Sequence, residues 1–422
     1  MSGLVVIGAS YAGIQAALAA REAGYMEAVT VIADETWLPY ERPPLSKDFL
    51  LGRTRESDLI LHNSAFFVTN RIELELGCRA IGIDLHARRV GLQSGLDLHF
   101  DRLVIATGSR AKRLDVTGDD LDGVCYLRAL DEAIDLKMRL RDAKEIVVVG
   151  GGFIGLEVAS SAVGLGKKVT LVEAARRLLE RAVCPVVSHY LFDAHMKAGV
   201  DVRLGETVAS FFGKAGQVAA VVLSSGEALC ADLVLVGIGG IANDELGAAA
   251  GLNCANGIVV DRQGRTNVPD VFSAGDCTNQ YSRIAGRRVR LESVQNAQDQ
   301  GKAVGIAVAG GEHLPDCVPR FWSDQFDTRL QTVGLSTGCD QVVVRGSVDE
   351  GKFSAFQYRG GSLIAVDGIN SPGEQMVARR LIRLGLSPSP EQAADKSFDL
   401  KSLLKTAEQT GASAGTTSIP PQ

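Results

Sequence analysis

The sequence predicts an α/β protein with two doubly wound, parallel-sheet units, the second inserted in the first, followed by a smaller α+β domain. Three observations carry this expectation. A β-branched run, a glycine turn and an alanine-rich helical stretch occur twice, as LVVIGASYAGIQAALAA from Leu4 and EIVVVGGGFIGLEVASSAVGLG from Glu145. Each is followed by a further β-rich run, AVTVIAD (Ala28 to Asp34) and KVTLVE (Lys168 to Glu173), so each opens a Rossmann-like βαβ unit. Strand-like runs ending in small residues then recur at LVIATGS (Leu103 to Ser109), ADLVLVGIG (Ala231 to Gly239) and DVFSAGDC (Asp270 to Cys277). That order returns the chain to the first unit after the second is complete. Beyond His313 the pattern changes to QVVVRGSV, then FSAFQY and LIAVDGI flanking Arg359-Gly360-Gly361, which reads as a hairpin, with a helical stretch near Glu374 to Leu384. The expected boundaries are 1–110 and 235–312 for the first unit, 111–234 for the inserted one, 313–405 for the last domain and a disordered tail over 406–422, whose GASAGTTSIPPQ end is small, polar and Pro-rich.

Composition narrows the function classes. Hydrophobic residues make up 46% and charged residues 22% of the 422, an ordinary globular balance with apolar mass for several cores. The formal charge of −6 speaks against nucleic-acid binding through bulk charge. The 47 glycines, about 11% against a usual 7%, cluster after apolar runs, where tight turns and close ligand approach need them. The start shows no basic region followed by a long apolar segment, and no uncharged apolar stretch nears twenty residues, so neither a targeting segment nor a membrane span is expected. The eight cysteines have no C-x-x-C spacing and the six histidines are scattered, which points to a reducing cytoplasm and to no metal site.

The chemistry-bearing motifs start with Gly150-Gly151-Gly152-Phe153-Ile154-Gly155, a full G-x-G-x-x-G after a strand and opening a helix. Gly150 permits the turn, Gly152 lets a pyrophosphate approach the backbone, and Gly155 allows close helix–strand packing. The helix N-terminus supplies unpaired N–H groups for the phosphates. Glu173 stands about twenty residues on, where a carboxylate accepts a ribose 2′-hydroxyl and repels a 2′-phosphate, so NADH is the expected cofactor. Arg176 and Arg177 follow closely and could hold that phosphate instead. The first copy, Gly8-Ala9-Ser10-Tyr11-Ala12-Gly13, has Ser10 in place of the second glycine; serine is small and its hydroxyl can donate to phosphate. The same residues echo a G-x-S-x-G nucleophile elbow, but only seven residues precede Gly8, which leaves no room for an upstream oxyanion loop. Asp276 ends a strand after Ser273-Ala274-Gly275, where its carboxylate could bind a polyol or cap a helix.

The segment YERPPLSKDFL (Tyr40 to Leu50), the two fingerprints, ATG at 106–108, SAGDC and FWSDQ at 321–325 together resemble the FAD-dependent NADH:ferredoxin reductases of oxygenase systems, of the putidaredoxin and biphenyl-dioxygenase type. The resemblance runs from Leu4 to about Leu404 and implies FAD in the first unit, NADH in the second, and a C-terminal domain that covers the flavin. It places Gly8, Ser10 and Gly13 at the FAD pyrophosphate, Asp34 or Glu35 at the adenosine ribose, Arg42 and Lys47 on the flavin side, Arg128 at the flavin, Asp276 at ribityl and Trp322 beside the ring system. Ala80, Thr107, Gly108 and Gln295 complete the expected FAD set. Gly150, Gly152, Ile154, Gly155, Glu157, Glu173 and Gly239 form the expected NAD set. Lys47 and Glu157 are the implied catalytic residues, paired near the nicotinamide; a plain salt bridge is the alternative. Ala242 departs from the family, which usually has proline there.

Relatives that reduce disulfides or peroxides need a redox cysteine by the flavin, and Pro43 to Gly52 has none, so the electrons are expected to leave singly to a [2Fe–2S] ferredoxin. Arg283, Arg287, Arg288 and Arg290 would steer that acidic partner, or form only a solvated face. No nucleic-acid or membrane partner is expected, and the chain is read as a monomer or weak homodimer. The rival readings are an NADH oxidase or peroxidase and a redox sensor like the apoptosis-inducing-factor relatives.

Overall fold

The computed structural model describes residues 3–315 and 318–409. The chain forms two compact units, one built from residues 3–114, 126–138 and 238–315, the other from 115–125, 139–237 and 318–409.

In the first unit, strand Gly3–Ile7 pairs in parallel with Ala28–Ile32 on one side and Arg102–Ile105 on the other; Glu73–Glu75 and Val271–Ser273 complete a five-stranded parallel sheet. Both faces are covered, which is why its strands are apolar throughout rather than alternating. Leu4, Val6, Val29, Val31 and Val104 face one core, and Val5, Ile7, Ile32, Leu103 and Ile105 face the other. The alanine run becomes helix Tyr11–Glu22, and its small residues are explained by helix Val294–Val308. A Cβ on Gly301 would come within 2.5 Å of the Ala12 carbonyl oxygen, and one on Gly305 would strike that of Ala16. The two helix backbones therefore touch, a contact that no larger side chain permits.

The second unit repeats the design. Strand Glu145–Val149 sits between Lys168–Glu173 and Leu233–Val236, with Asp201–Leu204 and Val124–Cys125 at the edges, all parallel. Each parallel sheet is accompanied by a three-stranded antiparallel meander in its own unit, Ala80–Asp84, Arg89–Leu92 and Asp97–His99 in the first, Val208–Lys214, Gln217–Leu223 and Ala228–Cys230 in the second. The duplication thus extends well beyond the βαβ openings seen in the sequence.

The last domain is an antiparallel sheet in the order Arg320–Gln325, Thr328–Gly334, Ser362–Ile369, Lys352–Arg359, Gln341–Ser347. The expected hairpin is present, with Arg359 opposite Ser362 and both turn glycines at positive φ. Helix Pro372–Leu384 ends at Gly385 in the left-handed conformation.

The compact units group the chain as follows: residues 126–138, expected in the inserted domain, fall in the first unit, and residues 318–409 share a unit with 139–237. Helix Lys401–Gln409 also carries regular structure past 405; residues 410–422 of the expected tail lie outside the described residues. Among the described residues no helix is long and apolar enough to cross a membrane, and no group of three or more His, Cys, Asp or Glu could hold a metal ion.

Candidate functional site

In an open parallel sheet, ligands bind outside the carboxyl ends of the strands where the strand order reverses. In the first unit that point lies between Gly3–Ile7 and Arg102–Ile105. Gly8 leaves the first of these strands at φ +114, and a Cβ there would collide with the Ala106 carbonyl oxygen, so only glycine fits. A Cβ on Gly13 would strike the Gly8 carbonyl oxygen, so helix Tyr11–Glu22 starts hard against the turn. Its first amides have no intrahelical acceptor and point toward the crevice. Ser10 is the N-cap residue, yet its side chain makes no capping bond; its Oγ takes only a long contact, 3.4 Å, from Arg42 Nε. The hydroxyl proton is left for an anionic ligand, and the residues present fit a dinucleotide pyrophosphate.

The expected FAD residues gather around this crevice in a polar network. Arg42 donates to Glu35 at 2.5 Å and to the Arg128 carbonyl at 2.8 Å, and its guanidinium lies over the Tyr40 ring. Arg128 donates to Asp276 at 2.5 Å and to the Ser109 carbonyl at 3.0 Å. Burial pushes the Asp276 carboxyl up, while Arg128 pulls it down. The Arg128 backbone N–H is itself fixed by Glu132, 2.6 Å away. Of the two candidate ribose carboxylates, Glu35 is held by Arg42 and the Tyr40 hydroxyl, and Asp34 is exposed.

Thr107 and Gly108 form the facing turn, tied by Asn243, whose amide donates to the Thr107 carbonyl at 2.9 Å and whose backbone N–H donates to Gly108 at 3.0 Å. Ala80 is buried in the sheet core, and the Gln295 amide donates to Asp299. These two residues have only backbone atoms or a rearranged side chain to offer a ligand. Lys47 is half-buried directly after the 3₁₀ turn Pro43–Ser46, which the two prolines pre-set.

In the second unit the switch point lies between Glu145–Val149 and Leu233–Val236. Gly150 turns at φ +110, and a Cβ on Gly155 would strike the Gly150 carbonyl oxygen. A Cβ on Gly152 would find nothing closer than the Gly237 carbonyl oxygen at 3.9 Å, so the space over the turn is open to a phosphate. Glu173 reaches back to the Gly151 N–H at 2.5 Å and also accepts from Ala175 N at 2.7 Å. Its carboxylate is fixed at the strand end, where an adenosine ribose is bound in such sheets. Arg177 is spent on the Val183 and Glu180 carbonyls, and Arg176 is exposed. Ile154 is 41% exposed at the helix start.

Gly239, expected at the NAD, lies in the other unit, where its carbonyl accepts from Lys112 N. Gly237 is the residue beside Gly155.

Strand Arg320–Gln325 meets helix Phe153–Gly164 along one face. Phe321 stacks on Phe153 with centroids 6.3 Å apart, Ser323 donates to Glu157 at 2.6 Å, and Phe326 N donates to the Ser160 hydroxyl at 2.7 Å. The helix residues used, 153, 157 and 160, are one face by spacing. Strand alternation sends Trp322 to the other side, where it is 39% exposed. Of the four arginines expected at the partner surface, Arg283, Arg287 and Arg288 are exposed, but Arg290 is largely buried, ion-paired with Glu292 and bonded to the Gly240 carbonyl.

Tyr40, Glu132, Gly151, Asn243 and Ser323 were not singled out by sequence reasoning. Tyr40, Gly151 and Ser323 carried a signal, as parts of the motifs YERPPLSKDFL, GGGFIG and FWSDQ; Glu132 and Asn243 did not.

Comparison with known proteins separates both nucleotide-binding sheets from the last domain. Residues 2–301 match the model of the pyridine nucleotide-disulphide oxidoreductases, and residues 320–404 match that of the reductase C-terminal domain. The chain is 42% identical to rhodocoxin reductase of Rhodococcus erythropolis over 398 residues, 94% of this chain and 93% of that protein. The solved ferredoxin reductase for the CYP199A2 system from Rhodopseudomonas palustris superposes with a TM-score of 0.93 at 43% identity, covering 95% of this chain and 99% of the other. The reductase chain of the covalent putidaredoxin reductase–putidaredoxin complex also superposes at 0.93, with 36% identity, over 96% of this chain and 99% of that one.

Proposed function

The chain belongs to the pyridine nucleotide-disulphide oxidoreductase family, and from that premise we propose that it is an NADH-dependent ferredoxin reductase that takes hydride onto FAD and passes single electrons to a [2Fe–2S] ferredoxin feeding an oxygenase. The observation that carries the reading is the pair of glycine turns, each at the switch point of its own parallel sheet and each opening a helix. When bound, the flavin accepts two electrons at once and can release them singly.

The protein's own groups do the rest. The helix starts at Tyr11 and Phe153 neutralise the two pyrophosphates. Arg128 and Asp276 hold each other at the first crevice, leaving Asp276 to meet ribityl hydroxyls. Glu173 selects the unphosphorylated ribose; Arg177 is unavailable to a 2′-phosphate because backbone carbonyls occupy it. Lys47 supplies positive charge on the flavin side and Glu157 faces the nicotinamide, with Trp322 at the flavin edge. Cytoplasmic residence agrees with the cysteines, which are all free among the described residues.

The partner docks on the hairpin of Thr278–Ser282 and Arg287–Val289, which presents Arg283, Arg287 and Arg288. Charge reversal at Arg287 and Arg288 raises the KM for ferredoxin roughly tenfold at low salt and leaves ferricyanide reduction intact. Equal loss with both acceptors refutes this docking site.

The test of the function is direct. Purified protein should be yellow with FAD, and NADH-driven cytochrome c reduction should depend on added [2Fe–2S] ferredoxin. A colourless protein that takes up no flavin overturns the reading.

A further inference from the structure

We propose that Ser323, Gln325 and His195 form a one-way chain of hydrogen-bond donors that positions the Glu157 carboxylate, so that the C-terminal strand and helix Pro185–Lys197 set the geometry of the nicotinamide side of the site. The proposal rests on the reading that Glu157 faces the nicotinamide.

The four side chains are 4% exposed or less, so each must satisfy its hydrogen bonds within the protein. Chemistry then fixes the direction of every link. An ionised carboxylate only accepts, so the Ser323 hydroxyl donates its one proton to Glu157 Oε1, 2.6 Å away. The Ser323 oxygen can then only receive, and it receives from Gln325 Nε2 at 3.0 Å. That orients the amide so that Gln325 Oε1 faces His195 Nε2 at 3.0 Å, and an amide oxygen needs a proton from the ring. His195 is therefore the Nε2–H tautomer with a bare Nδ1. The enclosure agrees: His195 Nδ1 is buried with no hydrogen-bond partner, and burial lowers the His195 pKa, which keeps the ring neutral.

Donors arranged head to tail polarise one another toward the acceptor at the end. Glu157 thus receives a short, charge-assisted bond whose direction is set three residues away. The chain also explains a feature of FWSDQ. Its inward residues, Phe321, Ser323 and Gln325, are the ones that meet the nucleotide unit, and the outward Trp322 and Asp324 are not part of the relay of contacts. Ser323, Gln325 and His195 are positioning residues; none is assigned contact with a cofactor.

The experiment uses the holoenzyme with Ser323→Ala, Ser323→Thr, Gln325→Leu, Glu157→Gln and the Ser323→Ala/Glu157→Gln double variant. Stopped-flow flavin reduction over a range of NADH concentrations separates the limiting rate from the NADH dissociation constant. Nitrogen NMR of the imidazoles reads the His195 tautomer independently of turnover. Ser323→Ala lowers the limiting rate roughly tenfold, the scale of one hydrogen bond to a charged group, with little change in NADH affinity. Ser323→Thr, which keeps the donor, recovers most of it. The double variant is no slower than Glu157→Gln, because the bond acts only through Glu157. Wild-type His195 shows Nε2–H. Should Ser323→Ala fail to fold, Gln325→Leu gives the same test with a loss of about threefold. An Nδ1–H ring, or losses that add in the double variant, overturns the chain while leaving the role of Glu157 intact. An unchanged rate in Glu157→Gln, with the Nε2–H ring present, refutes the role of Glu157 and with it the positioning function.

Discussion

Replacing Asp367 by Asn should abolish a loss of stability that the wild-type protein suffers as pH rises toward neutrality. Asp367 lies on strand Ser362–Ile369 and is 1% exposed. Its Oδ2 accepts from Cys184 N and from Gln357 Nε2, both at 2.8 Å. Burial pushes its carboxyl up to about 7, against the pull of those donors and of Arg177. An unfolded aspartate titrates near 3.9, so the displacement is about three units, or about 4 kcal/mol. The folded state holds a proton between about pH 4 and pH 7 that the unfolded chain has released. Stability from this group is therefore full below about pH 4 and is lost as pH rises to about 7, after which it changes no further. Cys184 beside it is pushed up to about 12 by burial and by Asp367, so it stays protonated through this window and adds no slope. Asparagine keeps an acceptor oxygen for both donors and cannot ionise. Guanidinium unfolding of both holoproteins, followed by circular dichroism from about pH 4.5 to about pH 8.5, gives the difference between them, in which other titrating groups cancel. The wild type should fall behind the variant by about 3 kcal/mol across that range, the remainder of the loss lying below about pH 4.5. A difference that does not move with pH refutes the assignment of a raised carboxyl to Asp367.

Other outcomes follow from the two crevices. Glu173→Ala removes the acceptor fixed at Gly151 N and should lower kcat/KM for NADH by about tenfold to a hundredfold while narrowing the preference over NADPH; steady-state assays with both cofactors check it. Gly13→Ala places a methyl group against the Gly8 carbonyl and should abolish FAD retention, read as loss of the yellow chromophore on purification. Gly155→Ala does the same against Gly150 and should instead leave a flavin-loaded protein with NADH binding weakened by at least about tenfold in titration. Lys47→Ala should slow flavin reduction by NADH in stopped flow by about tenfold through loss of positive charge at the flavin; an unchanged rate removes that role.

What the sequence disclosed, and what it withheld, follows from how each feature is made. The fingerprints were legible because the collisions at Gly13 and Gly155 are with the carbonyls of Gly8 and Gly150 five residues earlier, so local sequence carries them; the collision at Gly8, with the Ala106 carbonyl, is a matter of folding. The placement of residues 126–138 with the first unit was not legible, because it depends on Arg42 and Tyr40 reaching Arg128 and Leu130 across nearly ninety positions. The free charge count of the arginine cluster was overstated for the same reason: the Glu292 and Gly240 partners of Arg290 are a matter of folding, not of spacing.

The two copies also differ in a way that register alone exposes. Gly8 N bonds the Ile32 carbonyl and Gly150 N bonds that of Val172, both at 2.8 Å, so Ala33 is the counterpart of Glu173. In the second unit a Cβ on Gly151 would stand 2.7 Å from Leu178 Cδ2 and 3.1 Å from the Glu173 carboxylate, so both side chains crowd the position between the first two fingerprint glycines. In the first unit the counterpart residue Ala33 carries no carboxylate, and Ala9 stands where the second unit has Gly151. The acidic residues of the first unit, Asp34 and Glu35, instead lie beyond the end of strand Ala28–Ile32. The two turns thus share one backbone register while the carboxylate at the strand end of the second has no counterpart at the equivalent position of the first.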